Sequence, residues 1–153
     1  MVRCLPSRPH FSDVEGFFMP NSSTEQLQGD SLEASLTVQN LERSAKWYAE
    51  VLGFNEDRRY QREGKLMAVS LKAGAVRILL TQDDGAKGLD RAKGVGFSLQ
   101  ISTHQSADGL ADWIKNKGGN LDSEPMTMPH GARVFRLRDP DGFRLTISST
   151  HAA

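Results

Sequence analysis

The chain has 153 residues, 38% of them hydrophobic and 25% charged, and nineteen basic residues balance nineteen acidic ones. That is the size of one domain with a sizeable core, and a neutral chain offers no general field for nucleic acid or an anionic membrane. The single cysteine, Cys4, excludes an internal disulfide and a cysteine-based zinc site, and suits a reducing, cytoplasmic setting.

Residues 1–30 contain Pro6, Pro9, Pro20 and the polar stretch Asn21-Ser22-Ser23-Thr24, and show no sustained period. They read as an N-terminal tail or loose arm, with Phe11, Phe17 and Phe18 as an apolar cluster inside it and Met19 as an alternative start. Neither a signal-peptide pattern nor the roughly 20 apolar residues of a membrane span is expected.

From residue 31 to 150 one domain is expected, built from one motif used twice. In the first copy, residues 32–82, Leu32, Ala34, Leu36 and Val38 alternate with Glu33, Ser35 and Thr37. Period two predicts a strand with one face on a core. Asn40 then caps a helix whose apolar stripe is Ala45, Tyr48, Ala49 and Leu52, and Gly53 ends it. Strand-like runs follow at Phe54–Tyr60, Leu66–Leu71 and Val76–Thr81, punctuated by Gly64 and Ala73-Gly74. The linker, residues 83–94, carries three glycines among charges and suits a crossover between units.

The second copy, residues 95–149, repeats the plan. Val95, Phe97, Leu99 and Ile101 alternate with Gly96, Ser98 and Gln100. Ser106 caps a helix with the stripe Ala107, Leu110, Ala111 and Ile114, closed by Gly118-Gly119, and runs near Leu121–Glu124, Arg133–Leu137 and Arg144–Ser148 complete the unit. Asp139-Pro140-Asp141-Gly142 is a tight turn: proline presets φ, aspartate bonds its own backbone, and glycine accepts positive φ. The expected class is α+β: two βαβββ repeats forming an incomplete curled barrel around a central cleft. Trp47 and Trp113 occupy corresponding helices, as packing residues or as a subunit interface.

The segments Val38-Gln39-Asn40-Leu41-Glu42-Arg43-Ser44-Ala45-Lys46-Trp47-Tyr48-Ala49-Glu50-Val51-Leu52-Gly53-Phe54 and Arg136-Leu137-Arg138-Asp139-Pro140-Asp141-Gly142-Phe143 resemble the vicinal oxygen chelate superfamily. Its members include glyoxalase I, extradiol dioxygenases, fosfomycin-resistance transferases and bleomycin-resistance proteins. Catalytic members hold a divalent metal with His, Gln or Glu at four equivalent positions of the repeats. Here those positions are Glu33, Gly96, Thr146 and Leu79. Glycine and leucine carry no donor, and threonine is a poor ligand beside imidazole and carboxylate. The resemblance therefore implies that the family's metal site is absent, and no cofactor is expected.

Three readings follow. The first is a small-molecule-binding protein resembling the bleomycin-resistance branch, with a homodimer implied by the resemblance. Its cleft would be lined by Glu33, Ser35, Thr37, Leu79, Ser98, Gln100, Arg144 and Thr146, small polar groups with one cation suited to a compact organic ligand. The second is a metal-dependent lyase or dioxygenase with a non-standard ligand set, using Glu33 or His130 as the acid–base group; spacing gives no support to a site of Glu33, His104 and His130. The third is a diverged domain whose cleft Leu79 plugs. The reading leans away from an enzyme and toward a partner that is a small organic ligand, neither nucleic acid nor membrane.

Overall fold

The computed structural model describes residue 27 and residues 30–150, and the chain divides into two units, Met1–Asp30 and Ser31–Ala153. The expectation of an N-terminal arm falls almost entirely outside the described residues. In the second unit the first repeat runs β1 (Ala34–Val38), α1 (Leu41–Leu52), β2 (Asn55–Arg62), β3 (Lys65–Ala73) and β4 (Val76–Gln82). The second runs β5 (Ser98–Thr103), α2 (Ala107–Asn116), β6 (Leu121–Thr127), β7 (Arg133–Arg138) and β8 (Arg144–Ser149).

Each repeat makes its own four-stranded sheet, in the orders β1-β4-β3-β2 and β5-β8-β7-β6. The first strand of each repeat pairs in parallel with the last, and the remaining pairs are antiparallel. The fold is thus α+β with two repeats, and the two sheets are not closed into a barrel. All eight residues of β2, Asn-Glu-Asp-Arg-Arg-Tyr-Gln-Arg, are exposed. A charged outer strand is a usual guard against edge-to-edge pairing.

Local chemistry sets the helix ends. The Asn40 side chain accepts from the Arg43 N–H at 3.0 Å, and Gly53 turns left-handed at φ +73° so that its N–H reaches Ala49 O at 3.1 Å. Ser106 caps α2 by accepting from the Gly109 N–H at 3.3 Å. Both helices pack an apolar stripe on their sheets; of the stripe expected in α1, Ala45 and Tyr48 are buried, while Ala49 is exposed and Leu52 half-buried, with Leu41 and Val51 in their place. Leu41, Ala45, Tyr48 and Val51 meet Leu36, Val38, Val69, Leu71, Ile78 and Leu80, and Ala107, Ala111 and Ile114 meet Phe135, Leu137, Leu145 and Ile147. These groups form one continuous buried cluster, each large member contributing about 1.5–3 kcal/mol by leaving water.

The repeats join through α1 and the Asp139–Gly142 turn. Asp139 Oδ1 accepts from the Asp141 and Phe143 N–H groups, both at 2.9 Å, which shapes the turn. Its other oxygen accepts from the buried Tyr48 hydroxyl at 3.1 Å. Asp141 accepts from the Gln39 N–H at 2.7 Å and from the Ser44 hydroxyl at 3.0 Å. At the far end of α1, a Cβ on Gly119 would lie 2.5 Å from Ile114 Cγ2 and 2.7 Å from Val51 Cγ1, so only glycine lets the helices approach there.

The linker is pinned rather than loose. Lys93 donates to Thr37 O at 2.9 Å and to the carboxylate of Asp83, their side chains being 6% and 1% exposed. Asp83 also accepts from Arg91 at 2.9 Å, and its N–H bonds Val38 O at 2.9 Å. The hydrogen bond from Lys93 foremost holds the Asp83 carboxyl below the usual carboxylate range.

Several strand boundaries differ from expectation, and β2 and β3 each run two residues past their expected ends. β1 starts at Ala34, and Leu32 before it is 96% exposed. β5 starts at Ser98 because Gly94 to Phe97 closes a turn, with the Phe97 N–H on Gly94 O at 3.3 Å and Gly96 at φ +72°. The alternation from Val95 to Ile101 hid that turn. β6 runs on to Thr127 through Pro125, which an edge strand with register shifts tolerates.

Burial foremost pushes the Asp139 carboxyl above its ordinary range, and the Tyr48 hydroxyl pulls it back down. Removing that hydroxyl raises the carboxyl further, so the stability it contributes is kept at low pH and lost as pH rises through the folded value. Tyr48→Phe should therefore cost about 1–3 kcal/mol in urea unfolding at pH 7 and less at pH 4. Gly119→Ala should cost about 1–3 kcal/mol at either pH, from overpacking between the helices.

Candidate functional site

Because the helix-bearing sides of both sheets share one core, each sheet turns its other face away from it. The sequence-derived cleft residues fall on those open faces. Side chains in register across a pair share a face. On the first sheet, Ser35 lies beside Leu79, Ser70 and Arg58 in one row, and Thr37 beside Thr81, Ala68 and Tyr60 in the next. Thr81 Oγ1 lies 3.2 Å from Thr37 Oγ1, and the Arg58 guanidinium stands 6.0 Å from the Tyr60 ring centre. Glu33, exposed and one residue before β1, accepts from the Ser70 hydroxyl at a long 3.4 Å.

On the second sheet, one row reads Ser98, Arg144, Arg138 and another Gln100, Thr146, Arg136, Ser123. Leu145 and Ile147 alternate with Arg144 and Thr146 and point into the core. The structure therefore brings together Glu33, Ser35, Thr37 and Leu79 on one sheet, and Ser98, Gln100, Arg144 and Thr146 on the other. Among the described residues, no hydrogen bond or ion pair links the two sets.

The remaining candidates lie apart. Gly96 belongs to the turn ahead of β5, where an added Cβ would meet nothing within 4 Å. His130 is exposed in the loop between β6 and β7, where Gly131 N–H bonds Met128 O at 2.8 Å. His104 is exposed between β5 and α2. Among the described residues, no three His, Cys, Asp or Glu side chains gather as metal ligands do. The four family positions supply one carboxylate, one hydroxyl and no imidazole, a donor set that does not fit an open catalytic metal needing about three protein ligands.

A groove of about 940 Å³ lies elsewhere, between the end of α1, the β3–β4 turn and α2; of the sequence-derived candidates only His104 lines it, and none of the expected cleft residues does. Leu52, Val76, Ile101, Leu110 and Trp113 give it apolar walls. Two of its polar members serve the local fold: Ser106 caps α2, and Thr103 Oγ1 accepts from the Gln105 N–H at 3.1 Å. The open faces differ. Among the described residues, the side chains of Ser35, Ser98, Gln100, Thr146, Arg136 and Arg144 make no hydrogen bond or ion pair. Free polar groups on a sheet face are the groups available to a ligand, so the open faces are the better candidate site.

Sequence reasoning missed Arg136 and Arg138. The signal was present, since Arg136 and Arg138 flank Leu137 in a run whose apolar residues face the core. It also missed the partner of Tyr48, although a tyrosine in a buried stripe requires one for its hydroxyl.

The Glyoxalase/Bleomycin resistance protein/Dioxygenase superfamily model matches residues 31–147. The chain is 29% identical over 126 residues to a probable lactoylglutathione lyase of Synechocystis sp., spanning 78% of this chain and 94% of that relative. Its fold is similar to TioX from Micromonospora sp. ML1, at TM-score 0.63 and 18% identity, covering 80% of this chain and all of that one. A superfamily member from Sphaerobacter thermophilus is similar at TM-score 0.63 and 21% identity, covering 76% and 94% respectively. The chain belongs to the Glyoxalase/Bleomycin resistance protein/Dioxygenase superfamily.

Proposed function

We propose that this superfamily member binds a compact organic molecule on the open faces of its sheets, without a divalent metal at the four positions the superfamily uses. The observation that carries the reading is the set of polar side chains left unbonded there, Ser35 on one sheet and Ser98, Gln100 and Thr146 on the other. Hydroxyls and amides fix the orientation of a small ligand through directional bonds. Glu33 would act as a carboxylate toward such a ligand, and Leu79 as an apolar contact in the same row as Ser35. A homodimer and a cytoplasmic setting belong to the same proposal, the first by family likeness and the second from a single cysteine.

A second reading, a glyoxalase-like lyase, is favoured by the 29% identity to the probable lactoylglutathione lyase. It requires a ligand set other than the four family positions, with Glu33 or His130 as the acid–base group. The donor chemistry at Gly96, Leu79 and Thr146 weighs against it.

Metal analysis and a thermal-shift screen of thiols and aromatic metabolites separate the two. The binding reading expects no stoichiometric Ni, Zn, Mn or Fe, and an organic compound that raises the melting temperature. Glu33→Gln should weaken that compound while changing the free protein's stability by less than about 0.5 kcal/mol, because Glu33 is exposed and weakly bonded. One tightly held equivalent of metal with turnover of lactoylglutathione would establish the lyase instead.

A further inference from the structure

We propose that the open face of the second sheet is an oxyanion site, with Arg136 and Arg144 as the groups that grip a carboxylate or phosphate of the bound molecule. The inference rests on the open faces being the binding surface and names the chemistry of what binds there.

The argument starts from register. Arg144 on β8 stands directly opposite Arg138 on β7, and Arg136 stands opposite Thr146, two residues along the same strand. Three guanidinium groups thus share one patch of one face, Arg136 and Arg144 as diagonal neighbours with roots roughly 7–8 Å apart. Like charges directly opposite each other in a sheet destabilise it. The acids close to this sheet relieve only part of the charge. Asp122 pairs with Arg138 at 2.9 Å. Asp108 is held by Arg133 and Glu124 by Lys115, away from the pair. Among the described residues, Arg136 and Arg144 are left with no hydrogen bond or ion pair.

Around the two arginines lie neutral donors. Ser98 and Gln100 of β5 stand beside Arg144 and Thr146, and all three polar side chains are unbonded. Ser123, opposite Arg136, has a buried hydroxyl with no partner among the described residues. A guanidinium presents a planar fork of N–H donors that matches a carboxylate or phosphate bidentately. Two forks with hydroxyl and amide donors between them define a pocket floor for an oxyanion. With Arg138 already paired to Asp122, the charges left for a ligand are those of Arg136 and Arg144.

The test titrates the full-length protein with inorganic phosphate and, separately, with succinate, at constant ionic strength balanced by chloride. Arginine side-chain N–H and backbone amide NMR signals report the site. Saturable shifts centred on Arg136, Arg144 and Thr146 are expected, with a loss of affinity of about tenfold or more in Arg136→Met/Arg144→Met. Arg62→Met, an exposed charge on β2, should bind as the parent does. Since neither arginine holds the fold, the double variant should keep its melting temperature. Single Arg136→Lys and Arg144→Lys variants, which keep the charge and lose the fork, should bind with intermediate affinity.

Equal losses in Arg62→Met, or unchanged binding in the double variant, would overturn the proposal. So would a double variant that dissociates from dimer to monomer in sedimentation while anions leave the parent unmoved, because a second copy's acid would then be the partner. If neither anion shifts the face but neutral organic fragments shift Ser35, Gln100 and Thr146, the oxyanion inference fails and open-face binding stands. Silence from anions and fragments alike, or shifts confined to Trp113 and the groove, overturns both.

Discussion

The bond between the Tyr48 hydroxyl and the buried carboxyl of Asp139 is the point on which the two repeats depend. It joins the middle of the first helix to the last turn of the second repeat, 91 residues apart in sequence. The carboxyl cannot easily be charged there, and the hydroxyl is pushed well above its ordinary range by burial and by the neighbouring charge. Each group is therefore costly to bury alone and tolerable as a pair. Asp141 adds bonds from Gln39 and Ser44 at the start of the helix. The turn is thus both the link between β7 and β8 and the surface on which α1 sits.

That attachment fixes which faces of the sheets lie away from the core. With α1 fixed to the second repeat, and Gly119 admitting close contact with Val51, the helix-bearing sides close on one core. The opposite faces are left facing away from it, with serine, threonine, glutamine and arginine side chains that nothing in the described chain satisfies. The net charge of zero does not show how the charges are placed: Glu33 and Arg58 belong to one open face, and Arg136, Arg138 and Arg144, with Asp122, to the other.

What the sequence disclosed follows the range of the interactions. Caps, glycine stops and two-residue alternation act over a few residues, so Asn40, Gly53, Ser106 and the runs of β4 and β8 were legible. Ser35, Thr37, Ser98 and Gln100 followed from alternation, while Glu33, Leu79 and Thr146 were reached through the family resemblance. The turn at Gly94 to Phe97 was not legible, because Val95 and Phe97 preserve an apolar alternation while standing 78% and 46% exposed. Nor was the alignment of Arg136 with Thr146 and of Arg138 with Arg144. Register is a property of two strands together, and the arginines of β7 mean little until β8 is laid beside them.

The same register bears on metal chemistry. Thr146 stands directly opposite Arg136 and two residues from Arg144 on its own strand, so a divalent ion there would have two cationic side chains as neighbours. In the superfamily's metal-holding members the charge of the ion is met by carboxylate and polarisable ring nitrogens; here glycine, leucine and threonine supply no negative charge, and Glu33 stands alone. On the proposed reading, the second sheet offers groups for an anion where metal-holding members offer groups for a cation. A face that repels the ion and lacks the donors to retain it is consistent in both respects, and that agreement, more than the loss of any single ligand, argues that the open faces of this chain recognise their ligand through its oxygens directly.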